Sequence, residues 1–152
     1  MKLAEALIER ADLQRHMVEL QSRIYRNAVY QEGDTPSENP KDLLKRYDEV
    51  SLNLEKLIVR INLTNNEIKL DNGFPMVEAL ARRDVLKKRH GTYKKLAEQS
   101  TPAANRYSHS EIKMISAIDV SSLQKQSDKI AVDLRELDTK IQQANWSNDL
   151  KV

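Results

Sequence analysis

Residues 39–62 read NPKDLLKRYDEVSLNLEKLIVRIN, and the rest of the chain is organised around this stretch. Its apolar residues are Leu43, Tyr47, Val50, Leu54, Leu57 and Ile61, alternating steps of four and three. That is the heptad rhythm of helices that lie along one another. Asn39 is placed to cap the helix, Pro40 suits its first position, and Asp42 sits in the first turn at the positive end of the helix dipole. A seam this regular needs partner helices of similar length.

Composition agrees with that demand. The chain has 152 residues, 32% charged and only 5% aromatic, with three glycines and four prolines. Few turn formers and many Leu, Glu, Lys and Arg describe long helices with few loops. The net charge of +2 selects neither an acidic nor a nucleic-acid partner. There is no cysteine, which removes disulfides, thiolate chemistry and Cys-ligated metals. No stretch approaches the roughly 18 uninterrupted apolar residues of a membrane helix. Glu5, Glu9 and Arg10 interrupt any signal-peptide core at the start. The expectation is a cytoplasmic protein.

Three more helices follow from the same pattern. The first is expected over about residues 2–31, on Leu3, Ala6, Leu13, Met17, Leu20 and Ile24, with Arg10 and Asn27 on the same seam. Uninterrupted, it would be roughly 45 Å long. Residues 32–38 contain Gly33, Asp34, Pro36 and Ser37 and read as a loop. The central helix is expected to fade near residue 64. A third helix, over about residues 75–99, opens at Pro75 and has a poorer seam. Arg83 and His90 stand between Ala79, Leu86, Tyr93 and Leu96, and Gly91 lies inside the run. The fourth, over about residues 120–144, starts after the N-cap Asp119. It carries Val120, Leu123, Ile130, Leu134, Leu137, Ile141 and Ala144, with Ser127 as its polar break. Alternating apolar residues at about 67–70 and 112–118 predict two short strands. They would pair either through a returning connection or across a subunit boundary. The predicted fold is mainly α: a single domain over residues 1–152 forming an elongated antiparallel four-helix, coiled-coil-like bundle with a small two-stranded β element.

The spacings that carry common chemistries are missing: no phosphate-binding glycine loop, no HExxH and no Gly-x-Ser-x-Gly elbow. The histidines, His16, His90 and His109, are scattered. No catalytic residue, metal or cofactor is expected, and the chain is not read as an enzyme. The polar interruption of the third helix is the sharpest candidate for a binding site. It comprises Arg82, Arg83, Asp84, Arg89, His90 and Tyr93, joined by Arg106 and Tyr107. Buried arginines require carboxylate or carbonyl partners. Exposed, the same residues form a solvated basic face, a network between subunits or a phosphate-binding site.

Several runs carry a family resemblance: residues 1–13 (MKLAEALIERADL), 61–65 (INLTN), 78–86 (EALARRDVL), Arg106-Tyr107-Ser108 with Ser110-Glu111-Ile112-Lys113, and Leu134-Arg135-Glu136-Leu137-Asp138 through Asn145-Trp146. On these the chain resembles the small bacterial family labelled septicolysin. That family usually carries arginine where this chain has Leu63. The resemblance implies a helical, coiled-coil-rich subunit that assembles with itself, with a hexamer as the form it suggests, and it carries over no catalytic residue. The label suggests membrane lysis. The narrow apolar seams suit helix contacts better than a membrane surface. The favoured expectation is therefore a non-enzymatic homo-oligomer that scaffolds or binds. A nucleic-acid- or anion-binding module on the basic third helix is the alternative.

Overall fold

The computed structural model describes residues 1–102 and 112–151. It is mainly helical, with α1 at Leu3–Arg26, α2 at Pro40–Glu67, α3 at Met76–Gln99 and α4 at Val120–Ser147. The chain divides into two units, Met1–Lys69 with Gln142–Val152, and Leu70–Ile141.

In the first unit α1 packs against α2. Leu3, Ala6, Leu57, Ile61 and Leu150 form its buried cluster, with Leu7, Leu13 and Ile68 against it. These are the residues that the two heptad seams bring to one line. Leu20 and Leu43 are buried further along the pair, while Tyr47, Val50 and Leu54 are half-buried. Arg10 lies on the α1 seam with its Nε buried and without a hydrogen-bond partner. The α2 start is as expected: Asn39 Oδ1 accepts from Lys41 N at 2.9 Å and Pro40 opens the helix.

α1 stops at Arg26, short of the expected residue 31. Asn27 is the reason. Its Nδ2 donates to Arg23 O at 2.9 Å, and its Oδ1 accepts from Glu38 N at 3.0 Å. A short polar side chain that bonds the backbone competes with the next helical turn. The same junction holds an ion pair: Arg23 Nε donates to Glu38 Oε2 at 3.0 Å, and Arg23 Nη2 pairs with Glu38 Oε1. The hydrogen bond from Arg23 holds the Glu38 carboxyl below the usual carboxylate range, aided by the charges of Arg23, Arg26 and Arg46 and opposed by desolvation.

The C-terminal segment closes this unit. Leu3 N donates to Asn148 O at 3.0 Å, and Leu150 N donates to Met1 O at 2.9 Å. Lys2 and Asp149 form an isolated antiparallel bridge. Lys151 N donates to Thr64 Oγ1 at 3.1 Å, and Arg60 Nε donates to Lys151 O at 2.9 Å.

The expected two-stranded β element is absent among the described residues. Glu67, placed in the first strand by its alternation, is the last residue of α2. Residues 68–75 make a tight turn instead. Leu70 N donates to Phe74 O and Gly73 N donates to Leu70 O, both at 2.8 Å, and Gly73 takes φ +80°, the left-handed conformation that glycine accepts without steric cost. Residues 112–118 form no regular structure. Ser116 Oγ donates to Ile118 O at 2.7 Å, and Met114 and Ile115 are exposed. Two-residue alternation makes a strand only where a sheet or a helix covers one face; a lone ribbon is marginal.

In the second unit α3 and the part of α4 up to Ile141 run antiparallel. Arg83 near the start of α3 meets Asp138 near the end of α4, while Ala97 and Thr101 share a cleft with Gln124 and Ser127. Met76, Ala79, Leu86, Ala97, Leu123, Ile130 and Ile141 are buried. Leu96, expected on the core face, is 38% exposed; the buried position is its neighbour Ala97. α4 starts as expected, with Ser122 N donating to Asp119 Oδ1 at 3.3 Å.

Candidate functional site

The polar residues of α3 do not gather into one pocket. Arg83 lies flat on the hairpin, with its side chain 22% exposed. Its Nη1 is 3.6 Å from Asp138 Oδ1, and its Nε is 3.4 Å from Asp84 Oδ1. Arg83 thus has carboxylate partners within its own protein. Asp84 is an exposed neighbour in that pair. Arg106 and Tyr107, together with His109, lie outside the described residues.

The remaining residues line three open clefts between α3 and α4. Arg82 and Lys140 rim a cleft of about 230 Å³ whose apolar floor is Phe74, Leu86 and Leu137. Asp133 and Glu136 complete the rim. Arg89 and Tyr93 line the next cleft, of about 220 Å³, with Lys129, Ile130 and again Asp133. Asp133 lines both, so the two clefts adjoin in a row along the hairpin, and together they make the groove between α3 and α4. On α3 its residues are Arg82, Leu86, Arg89 and Tyr93, in steps of four, three and four. Eleven residues at 1.5 Å each make this groove about 16 Å long. His90 faces a separate cleft with Lys94, Glu98, Ser127 and Asp128. Two polar breaks of the seams thus line the same cleft: His90 from α3 and Ser127 from α4.

In the α3–α4 groove Arg82, Arg89, Lys129 and Lys140 are exposed beside Asp133 and Glu136. None of the six forms an ion pair among the described residues, where the pairs of this unit are Arg83 with Asp84 and with Asp138. Reading α3 alone found the two arginines. It missed Lys129, Asp133, Glu136 and Lys140, which stand on α4 at helical spacing along its side of the groove. Among the described residues no three His, Asp or Glu converge to hold a metal ion.

A second feature lies on α1, in the first unit. Beyond the seam that meets α2, a further heptad line runs through Ile8, Ala11, Arg15, Val18, Ser22 and Tyr25. Ile8, Val18 and Tyr25 are 55%, 66% and 68% exposed. Leu7, Ile8, Ala11 and Val18 line a shallow trough of about 660 Å³, with Asp12, Gln14 and Arg15 at its edges. The seven-residue repeat of this line is visible in the sequence, although attention to the inner seam hides it.

Among the described residues no helix is long and apolar enough to cross a membrane. No curated protein matches the chain. A crystal structure of a functionally unknown conserved protein from Corynebacterium diphtheriae superposes with a TM-score of 0.91. It is 39% identical, and the alignment covers 99% of each chain. The resemblance to the septicolysin-labelled family is overturned: the family model that matches is a different one. That model, described as Family of unknown function (DUF6847), matches residues 10–150, and the chain belongs to this family.

Proposed function

We propose that this protein is a non-enzymatic assembly subunit that works by pairing helical faces with further copies of itself, serving as a scaffold or interaction platform. One observation carries the reading. The outer line of α1 exposes Ile8, Val18 and Tyr25 at heptad spacing, where a surface helix normally presents charge. Apolar side chains exposed at that rhythm in the first unit are what a seam for a further helix would present. The alternative, a nucleic-acid surface on α3, fits less well. Asp133 and Glu136 stand among the groove cations, and carboxylates repel a phosphate backbone.

Light scattering coupled to gel filtration tests the proposal. The wild-type chain is expected as an oligomer that dissociates on dilution. Val18→Glu, which places a charge in the exposed seam, is expected as a monomer with unchanged helical circular dichroism. A wild-type chain that is monomeric at every concentration would refute the reading, as would a Val18→Glu variant of unaltered mass.

A further inference from the structure

We infer that the groove between α3 and α4 of one copy receives the outer face of α1 from another copy. The inference rests on the assembly reading above and names the second surface. The apolar parts correspond. Ile8, Ala11 and Val18 span about 15 Å of α1, and the groove is about 16 Å long over an apolar floor that includes Leu86, Ile130 and Leu137.

The charges correspond in pitch and in sign. Glu5, Asp12 and Glu19 stand seven residues apart on the flank of the α1 line, about 10.5 Å between neighbours. Arg82 and Arg89, on one wall of the groove, are also seven apart. The centre is inverted in both members. Arg15 lies on the α1 line between Asp12 and Glu19, and Asp133 lies where the clefts of Arg82 and Arg89 adjoin. With Arg15 seated over Asp133, Asp12 and Glu19 fall beside the two arginines. Within the free chain Asp12 pairs with Arg15 on the open surface, and Glu19 pairs with Arg23, whose side chain is 22% exposed. Exposed pairs of that kind contribute little, so exchanging them for partners in an enclosed groove costs little. The arrangement gives partners to Arg82, Arg89 and Asp133, three of the six unpaired charges of the groove.

The two surfaces differ, so the contact is head to tail and leads to a ring or an open chain. A symmetric α1–α1 pair would stop at two. Mixing separates these outcomes. The variant Arg82→Glu/Arg89→Glu keeps its α1 face, and Val18→Glu keeps its groove. Each alone is expected at the mass of one subunit. Mixed in equal amounts, they are expected at the mass of two, because one intact face meets one intact groove and nothing further can add. Combining Arg82→Glu/Arg89→Glu with Asp12→Lys/Glu19→Lys in one chain is expected to restore the wild-type mass, which a misfolded groove variant could not do. If Arg82→Glu/Arg89→Glu retains the wild-type mass while Val18→Glu is monomeric, the groove assignment is wrong and the assembly reading stands. A mixture that stays at one subunit, or a charge-swapped chain that fails to reassemble, also overturns the assignment. A monomeric wild type overturns both readings.

Discussion

Leu57 and Ile61 of the first hairpin meet Leu3 and Ala6, with Leu150 closing the cluster. In the second hairpin the corresponding layers hold an Arg83–Asp138 pair and a cleft between His90 and Ser127. Both hairpins follow a seven-residue rule, yet they keep different things along their seams. The first excludes water from branched aliphatic side chains and ties the C-terminal segment across its end. The second intersperses its buried Leu86, Ala97 and Ile130 with polar layers at Arg83–Asp138 and His90–Ser127. Aliphatic layers stabilise roughly in proportion to the apolar area they bury. Half-exposed ion pairs add little. The first hairpin is therefore the more tightly packed part of the chain, and the second carries the more polar seam.

The largest effect is expected where the first hairpin is most enclosed. Ile61 is 1% exposed, and Ile61→Ala removes three carbons from a packed site, at a cost of about 2–5 kcal/mol. Urea unfolding followed through Trp146, the single tryptophan, measures it directly. A loss below about 1 kcal/mol would mean the two hairpins are not as different as their packing indicates.

A smaller effect of opposite sign is expected in the second hairpin. Gly91 lies inside α3, and an added Cβ would meet nothing within 4 Å. Gly91→Ala should therefore raise stability by ~0.5–1 kcal/mol, by lowering the entropy of the unfolded chain at no packing cost. Thermal melts of the two proteins check it, and a gain confined to the second hairpin would appear in hydrogen exchange of α3 and α4 first.

The smallest effect is expected at the junction of α1 and α2. Glu38 has its carboxyl held below the usual range by Arg23. A depressed folded pKa contributes stability that is present above the unfolded value and is lost as pH falls through the folded value. Glu38→Gln should thus be less stable than the wild type at about pH 6, and the gap should narrow toward about pH 3 as the carboxyl becomes protonated. Paired urea titrations read the gap. A gap that widened on acidification would contradict the Arg23 pairing.

Much of the helical layout was legible because its causes are local. Asn39, Pro40 and Asp119 act on backbone groups within a turn, and the heptad positions of α2 need only their own spacing. The misplaced boundaries depend on residues further off. Asn27 ends α1 because its side chain reaches Glu38, eleven positions on. The alternation at 112–118 looked like a strand, but alternation carries no information about whether a sheet exists to receive it. The groove was half legible. Arg82 and Arg89 stood out as cations on a poorly amphipathic helix, whereas Asp133, Lys129 and Lys140 carry no signal in the sequence and join them only because α4 lies alongside α3.

By itself the amino-acid order determined four helices, the caps at Asn39 and Asp119 and the seam of α1 with α2, because each of these follows from side chains a few positions apart on one rod. Only the tertiary structure decided which charges share a groove, which apolar line of α1 stays in water, and that Arg83 is occupied by Asp138. Those outcomes depend on how one rod is rotated and shifted against another. The sum of many weak packing contacts sets that rotation, and no single spacing along the chain encodes it.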